Sequence, residues 1–198
     1  MEIYYDNPKI LENTAVAIGV FDGIHIGHQK LIGEAVKFAG DKGIKSCVFT
    51  FAKRSFESGF ITNERQRNEI LEAMGVDILH IQNFSDDFKN LSAEEFFNIY
   101  LKNCSFVCVG FNFRFGKNRM GDGAKLSELC SNEKIQWKII EPVMLNNSIV
   151  SSTFIRQSVK NGDLSLARDM LGRYYTVDGI VQAGDKIGRT IGFPTANI

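Results

Sequence analysis

Five apolar runs rich in Val, Ile and Phe recur along residues 15–143, and a stretch of helical character separates each from the next. They read AVAIGVF at 15–21, KSCVFTF at 45–51, DILHIQ at 77–82, FVCVGF at 106–111 and QWKIIEPV at 136–143. Between them, residues 29–38, 64–75, 92–103 and 124–134 carry apolar side chains at helical spacing. Strands apolar on both faces cannot lie open to water, and their alternation with helices calls for a parallel sheet covered on both sides. The expected fold class is therefore α/β, a doubly wound parallel sheet. Ser92 followed by Glu95 fits a capping box at the third helix.

Sheets of this kind bind ligands beyond the carboxyl ends of their strands, so the loops after Phe21, Phe51 and Phe111 are where chemistry is expected. Two short helical patterns follow, STFIRQSVKNG at 152–162 and LSLARDMLG at 164–172. Near Gly172 the character changes to a stretch rich in Gly and β-formers, which reads as the first strands of a β domain. Some 25 residues (174–198) cannot bury a core of their own, so this piece packs on the first domain or belongs to something longer. The expected division is 1–158, a helical linker at 159–172, and 173–198.

The 23 basic and 23 acidic residues cancel, which leaves no bulk field to hold a nucleic-acid backbone or an anionic membrane. Any phosphate recognition must be local. The first residues, MEIYYDNPKI, lack the features of a secretory signal, and no run approaches the roughly 20 apolar residues of a spanning helix. A soluble cytoplasmic protein is expected, with no nucleic-acid or membrane partner. Cys47, Cys104, Cys108 and Cys130 form no Cys-x-x-Cys pair, so reduced, buried thiols are expected.

The stretch FDGIHIGH, residues 21–28, holds two of the three histidines of the chain at the junction of the first strand and first helix. Free backbone amides and the helix dipole favour an anion there, and Gly23 and Gly27 let backbone and ligand approach. His25 and His28 could share a metal, but no third ligand is nearby and His80 lies in another strand region. Two donors aimed at phosphate oxygens fit the position better. Phosphoryl and nucleotidyl transfer depend on positioning and charge stabilisation, which such donors supply.

Three further blocks stand out. In VGFNFRFGKNRMGDG, 109–123, Phe113 and Phe115 alternate as flat faces and Asn112 offers a directional amide. In VSSTFIR, 150–156, Ser151 or Ser152 can cap the next helix, with Arg156 one turn along on the same face as Ser152, a phosphate clamp. GDKIGRTIGFPTANI is a Gly- and Pro-rich stretch whose composition by itself reads as a turn.

With its His-x-Gly-His core, GVFDGIHIGH resembles the nucleotidyltransferase superfamily, and together with the three other blocks it is similar to the bacterial bifunctional riboflavin kinase/FAD synthetase family. The resemblance implies a Rossmann-like nucleotidyltransferase domain, followed by a riboflavin kinase β-barrel of which only the start is present. It implies transfer of AMP from ATP to FMN, giving FAD and pyrophosphate with Mg. His25, His28, Ser151, Ser152 and Arg156 are the implied catalytic residues. Gly19, Phe21, Asp22, Gly23, Gly27, Gly110 and Thr153 are implied for ATP; Asn112, Phe113 and Phe115 for flavin; Thr195 and Asn197 for the kinase Mg. Because the chain stops one residue after Asn197, adenylyl transfer is expected without riboflavin phosphorylation. One block departs from the family: Ala52, Lys53, Arg54 and Ser55 stand where Asp-Pro-His-Pro is usual, and Lys53 and Arg54 are expected as solvated surface charge, with substitution for the lost contacts the alternative. A different phosphate acceptor, or a flavin-binding regulator without catalysis, are the alternatives.

Overall fold

The computed structural model describes residues 1–52, 59–182 and Gly192. Its centre is a parallel sheet of β1 (Glu2–Tyr5), β2 (Thr14–Ile18), β3 (Lys45–Phe51), β4 (Ile78–Gln82), β5 (Phe106–Gly110) and β6 (Gln136–Ile140), in the order β1-β4-β3-β2-β5-β6. Helix α1 (Ile26–Lys42) follows β2, and α2 (Glu64–Ala73) precedes β4. The β4 to β5 crossover holds α3 (Asp86–Asn90) and α4 (Ala93–Phe96), and α5 (Gly123–Asn132) leads into β6. A small hairpin, β7 (Met144–Leu145) with β8 (Ser148–Ile149), then joins α6 (Ser152–Lys160) and α7 (Leu164–Leu171).

The apolar runs fill both faces. On β2, Val16 and Ile18 pack with Phe96, Phe97, Leu101 and Leu126 on one side. Ala15 and Ala17 pack with Leu31, Ile32 and Ala35 of α1 and Leu71 of α2 on the other. Successive residues of a strand point to opposite faces, so a run without polar breaks supplies two cores at once. The α/β expectation is met.

Several boundaries differ from the sequence reading. Edge strand β1 was not expected, because its four residues, EIYY, are mostly exposed and show no buried face. Strand β2 stops at Ile18, since Phe21 turns left-handed (φ 51) and leaves the sheet. Helix α1 begins at Ile26 because His25 caps it. The capping box of Ser92 and Glu95 is present, but after one α turn the helix widens to a π-helical stretch, Phe97–Leu101, with Phe96 and Phe97 both buried.

From β2 the chain winds to β3 and β4 in one direction, then returns to place β5 and β6 on the other side. The carboxyl ends of β2 and β5 therefore diverge, and the crevice between their loops is the expected ligand site. Lys53, Arg54 and Ser55 lie outside the described residues, as do Thr195 and Asn197. So does most of the segment expected to open a β-barrel, 183–191 and 193–198. Among the described residues no helix is long and apolar enough to cross a membrane.

Candidate active site

The loop from β2 to α1 is bent by left-handed residues at Phe21 (φ 51), Gly23 (φ 80) and Ile24 (φ 39). For non-glycine residues this geometry costs on the order of 1 kcal/mol each, so surrounding contacts must hold it. It ends at His25, whose side chain accepts a hydrogen bond from the His28 amide at 3.3 Å and caps α1. The two imidazoles stack, with ring centres 3.6 Å apart and planes 20° apart, and the Phe21 ring meets His28 edge-on at 5.2 Å. Gly27 makes this possible: a Cβ there would lie 3.1 Å from the His25 ring.

Both histidines are neutral at physiological pH. Burial pulls His25 down to about 4, and the nearby Arg173 guanidinium adds to the effect. Burial, and then His25 itself, holds His28 well below its usual range. Because Nδ1 of His25 is the acceptor in the cap, its neutral ring carries the proton on Nε2. Nδ1 of His28 is sealed, with no hydrogen-bond partner among the described residues, which leaves Nε2 as its edge toward the cleft.

Asp22 binds the histidine loop to the rest of the site. Its buried carboxylate accepts from the Ile61 amide at 3.0 Å and pairs with Nη2 of Arg156 at 2.6 Å. Nε of Arg156 donates to the Gly59 carbonyl, and Oγ of Ser152 donates to the Asp22 carbonyl at 2.8 Å. Ser151 caps α6 by accepting from the Phe154 amide. Thus 21–28 and 150–156, far apart in sequence, interlock, and the side chains of Ser152 and Arg156 contact the histidine loop.

Between these blocks lies a cleft of about 280 Å³. His25, Gly27 and His28 form one wall and Ser151, Ser152 and Thr153 another, while Gly110 and Asn112 enter from the end of β5. Glu141, Pro142 and Phe111 also line it and were missed in the sequence reading. Their position just beyond the ends of β5 and β6 was the available signal.

Phe113 and Phe115 lie elsewhere. They stack on each other (5.3 Å, 16°) and line a separate cavity of about 80 Å³ with Phe51, Phe84 and Phe88, rimmed by Lys89, Arg114 and Arg119. Their loop is pinned by two hydrogen bonds between Phe115 and Gly121, where a Cβ on Gly121 would strike the Phe115 ring at 2.7 Å. One loop thus sends Phe111 and Asn112 to the histidine cleft and Phe113 and Phe115 to a second cavity.

Both walls of the cleft fall within residues 7–154, the region that matches the sequence model of FAD synthetase, while Arg156, just beyond it, lines a separate cavity of about 540 Å³ with Phe60, Ile61, Lys160 and Tyr175. The chain belongs to the FAD synthetase family. Residues 171–198 match riboflavin kinase. Curated relatives of this FAD synthetase family member include the bifunctional riboflavin kinase/FMN adenylyltransferase of Bacillus subtilis, 34% identical over 93% of the chain and 61% of that protein. The Listeria monocytogenes protein of the same name is 35% identical (94% and 62%), and that of Buchnera aphidicola from Schizaphis graminum is 37% identical (96% and 64%). The chain spans slightly over three fifths of the length of these relatives. A solved structure named as a macrolide-efflux protein from Streptococcus pneumoniae shares the fold at a TM-score of 0.86 and 32% identity, over all of this chain and 68% of that one.

Proposed function

We propose that the chain is an FMN adenylyltransferase, forming FAD and pyrophosphate from FMN and ATP. The observation that carries this reading is the stacked, neutral histidine pair at the start of α1, facing the capped start of α6 across the cleft. A phosphate oxygen of FMN attacks the α-phosphorus of ATP, the new P–O bond forms in line, and the bond to pyrophosphate breaks. No general base is needed, because the attacking phosphate is already ionised.

In this reading Nε2–H of His25 and the cleft-facing edge of His28 donate to the phosphate oxygens that gain charge. Ser151 and Thr153 present the amides of the α6 N-terminus to the other end of the triphosphate. Arg156 supports that wall from outside the cleft, its guanidinium paired with Asp22 and the Gly59 carbonyl. Gly19, Phe21, Gly23 and Gly27 shape the loop, and Gly110 and Asn112 border the nucleotide. Phe113, backed by the buried Phe115 ring, supplies a flat face for the flavin ring from the same loop that carries Asn112. Mg would reach the site with the triphosphate, held chiefly by phosphates and water. This fits the described residues, among which no cluster of three or more His, Cys, Asp or Glu could hold a metal. Thr195 and Asn197 are proposed for the kinase Mg of the intact family.

The unit boundaries 1–158, 159–172 and 173–198 are part of the same proposal, supported by family matches at 7–154 and 171–198. A cytoplasmic setting agrees with four free, buried cysteines. Incubation with ATP, Mg and FMN, followed by chromatography for FAD and assay of pyrophosphate, tests the activity. Tight FMN binding with no FAD formed would overturn it in favour of a flavin-binding protein without catalysis.

A further inference from the structure

We propose that Arg173 is a positioning residue that clamps the histidine loop from the start of the riboflavin kinase segment, with Gln29 sharing the clamp. The inference rests on the adenylyl-transfer reading for its kinetic consequence, but on geometry for the clamp itself.

The left-handed turns at Gly23 and Ile24 direct their carbonyls away from any helix or strand ladder, and buried carbonyls require donors. Nη2 of Arg173 donates to the Gly23 carbonyl at 2.6 Å, and Nη1 donates to the Ile24 and Leu171 carbonyls at 3.2 Å. Nε2 of Gln29 donates to the same Ile24 and Leu171 carbonyls at 2.8 Å. Leu171 ends α7, where the last carbonyls have no partner within the helix. Two side chains thus join three orphan carbonyls and tie the end of α7 to the loop that presents His25.

The chain is shaped for this contact. Gly172 takes a left-handed turn (φ 68) that caps α7, and a Cβ there would lie 3.1 Å from Ile26 and 3.3 Å from Oε1 of Gln29. A planar guanidinium offers its donors in a fixed fork that fits these carbonyls, whereas an ammonium is a rotatable point charge on a flexible stem. Its charge also favours the neutral state of His25 and so keeps Nδ1 as the capping acceptor. Arg173 lowers His25, His25 in turn lowers His28, which stacks on it, and Glu141 from the end of β6 lines the same cleft. The histidine loop therefore takes its shape partly from a residue inside the riboflavin kinase match, 171–198.

The test compares Arg173→Met, Arg173→Lys and Gln29→Ala in the 198-residue chain. Three quantities are read: amide exchange across 23–28, the His25 titration by NMR, and kcat and KM for FAD formation. Arg173→Met is expected to speed exchange about tenfold or more and to raise the His25 pKa only part of the way from about 4, because burial, the larger cause, remains. It should lower kcat by about 10²-fold with little change in KM for FMN. Arg173→Lys keeps the charge and should leave His25 low while loosening the loop. Unchanged exchange and His25 titration in a folded Arg173→Met protein would overturn the clamp, as would a loss of kcat with both unchanged, which would place Arg173 on substrate. If Arg173→Met does not fold, Arg173→Lys and Gln29→Ala decide by exchange. Absence of FAD formation by the unaltered chain defeats the adenylyl-transfer reading, while exchange and titration still decide the clamp.

Discussion

The guanidinium of Arg156 lies 2.6 Å from the carboxylate of Asp22, both side chains largely buried, and so links the histidine loop to the first turns of α6. Ser152 adds a second link to the Asp22 carbonyl. The two walls of the cleft are therefore one mechanical unit. Asp22→Asn would set an amide donor against the Arg156 donor and lose a charged hydrogen bond. Urea unfolding should show a loss of about 2 kcal/mol, with reduced FAD formation. Unchanged stability would mean that the pair contributes nothing net.

Gly27 separates stability from activity. Alanine is the better helix former by up to about 1 kcal/mol, which offsets the pressure of its Cβ on the capping His25, so Gly27→Ala should leave the melting temperature nearly unchanged. Its Cβ would press on the His25 ring from 3.1 Å and disturb the stack, lowering turnover about tenfold. Parallel thermal melts and FAD assays would show the divergence, and full turnover would make the stack dispensable.

His28→Ala should reduce turnover by about 10² or more with modest change in FMN affinity, as expected for a donor acting on charge that develops during reaction. His25 has a second role as the cap of α1. His25→Ala should therefore also cost about 1 kcal/mol of stability, which His25→Asn restores without restoring turnover. Steady-state kinetics and calorimetry on the three variants separate the roles.

Phe113 is the accessible partner in its stack with buried Phe115. Phe113→Ala should raise KM for FMN about tenfold, the scale of one aromatic stacking contact, and leave KM for ATP nearly unchanged. An equal effect on both substrates would remove the flavin from this cavity.

Acid should destabilise the fold through histidine. Burial lowers both His25 and His80 to about 4, against an ordinary value near 6.5. Between those values the unfolded chain binds protons that the folded chain refuses, so stability falls as pH drops from about 6.5 to about 4. Each group contributes roughly 3 kcal/mol at most. His80 lies outside the cleft, its Nε2 accepting from the Asn7 amide. Denaturation of His80→Gln across this range should show a shallower pH dependence, with the neutral-pH activity retained.

Local chemistry was legible in the sequence. Apolar runs marked β2 to β5, because strands buried on both faces carry little polar alternation, and edge strand β6, mostly exposed, was marked by Trp137, Ile139 and Ile140. His25 and His28 stack at the strand to helix junction their spacing pointed to, and Ser92 with Glu95 marked a helix start. Strand β1 escaped because an edge strand of four mostly exposed residues carries no such pattern.

Relations across long separations were not legible. Asp22 and Arg156 are 134 residues apart, and Gly23 and Arg173 are 150 apart. Phe113 and Phe115 were marked as a pair, yet their companions Phe84 and Phe88 come from the preceding crossover, and the cavity they share is separate from the cleft of Asn112. Periodicity and capping are properties of a few neighbouring residues. Which loops meet depends on strand order and on the reversal of winding beside β2, and packing alone sets those contacts.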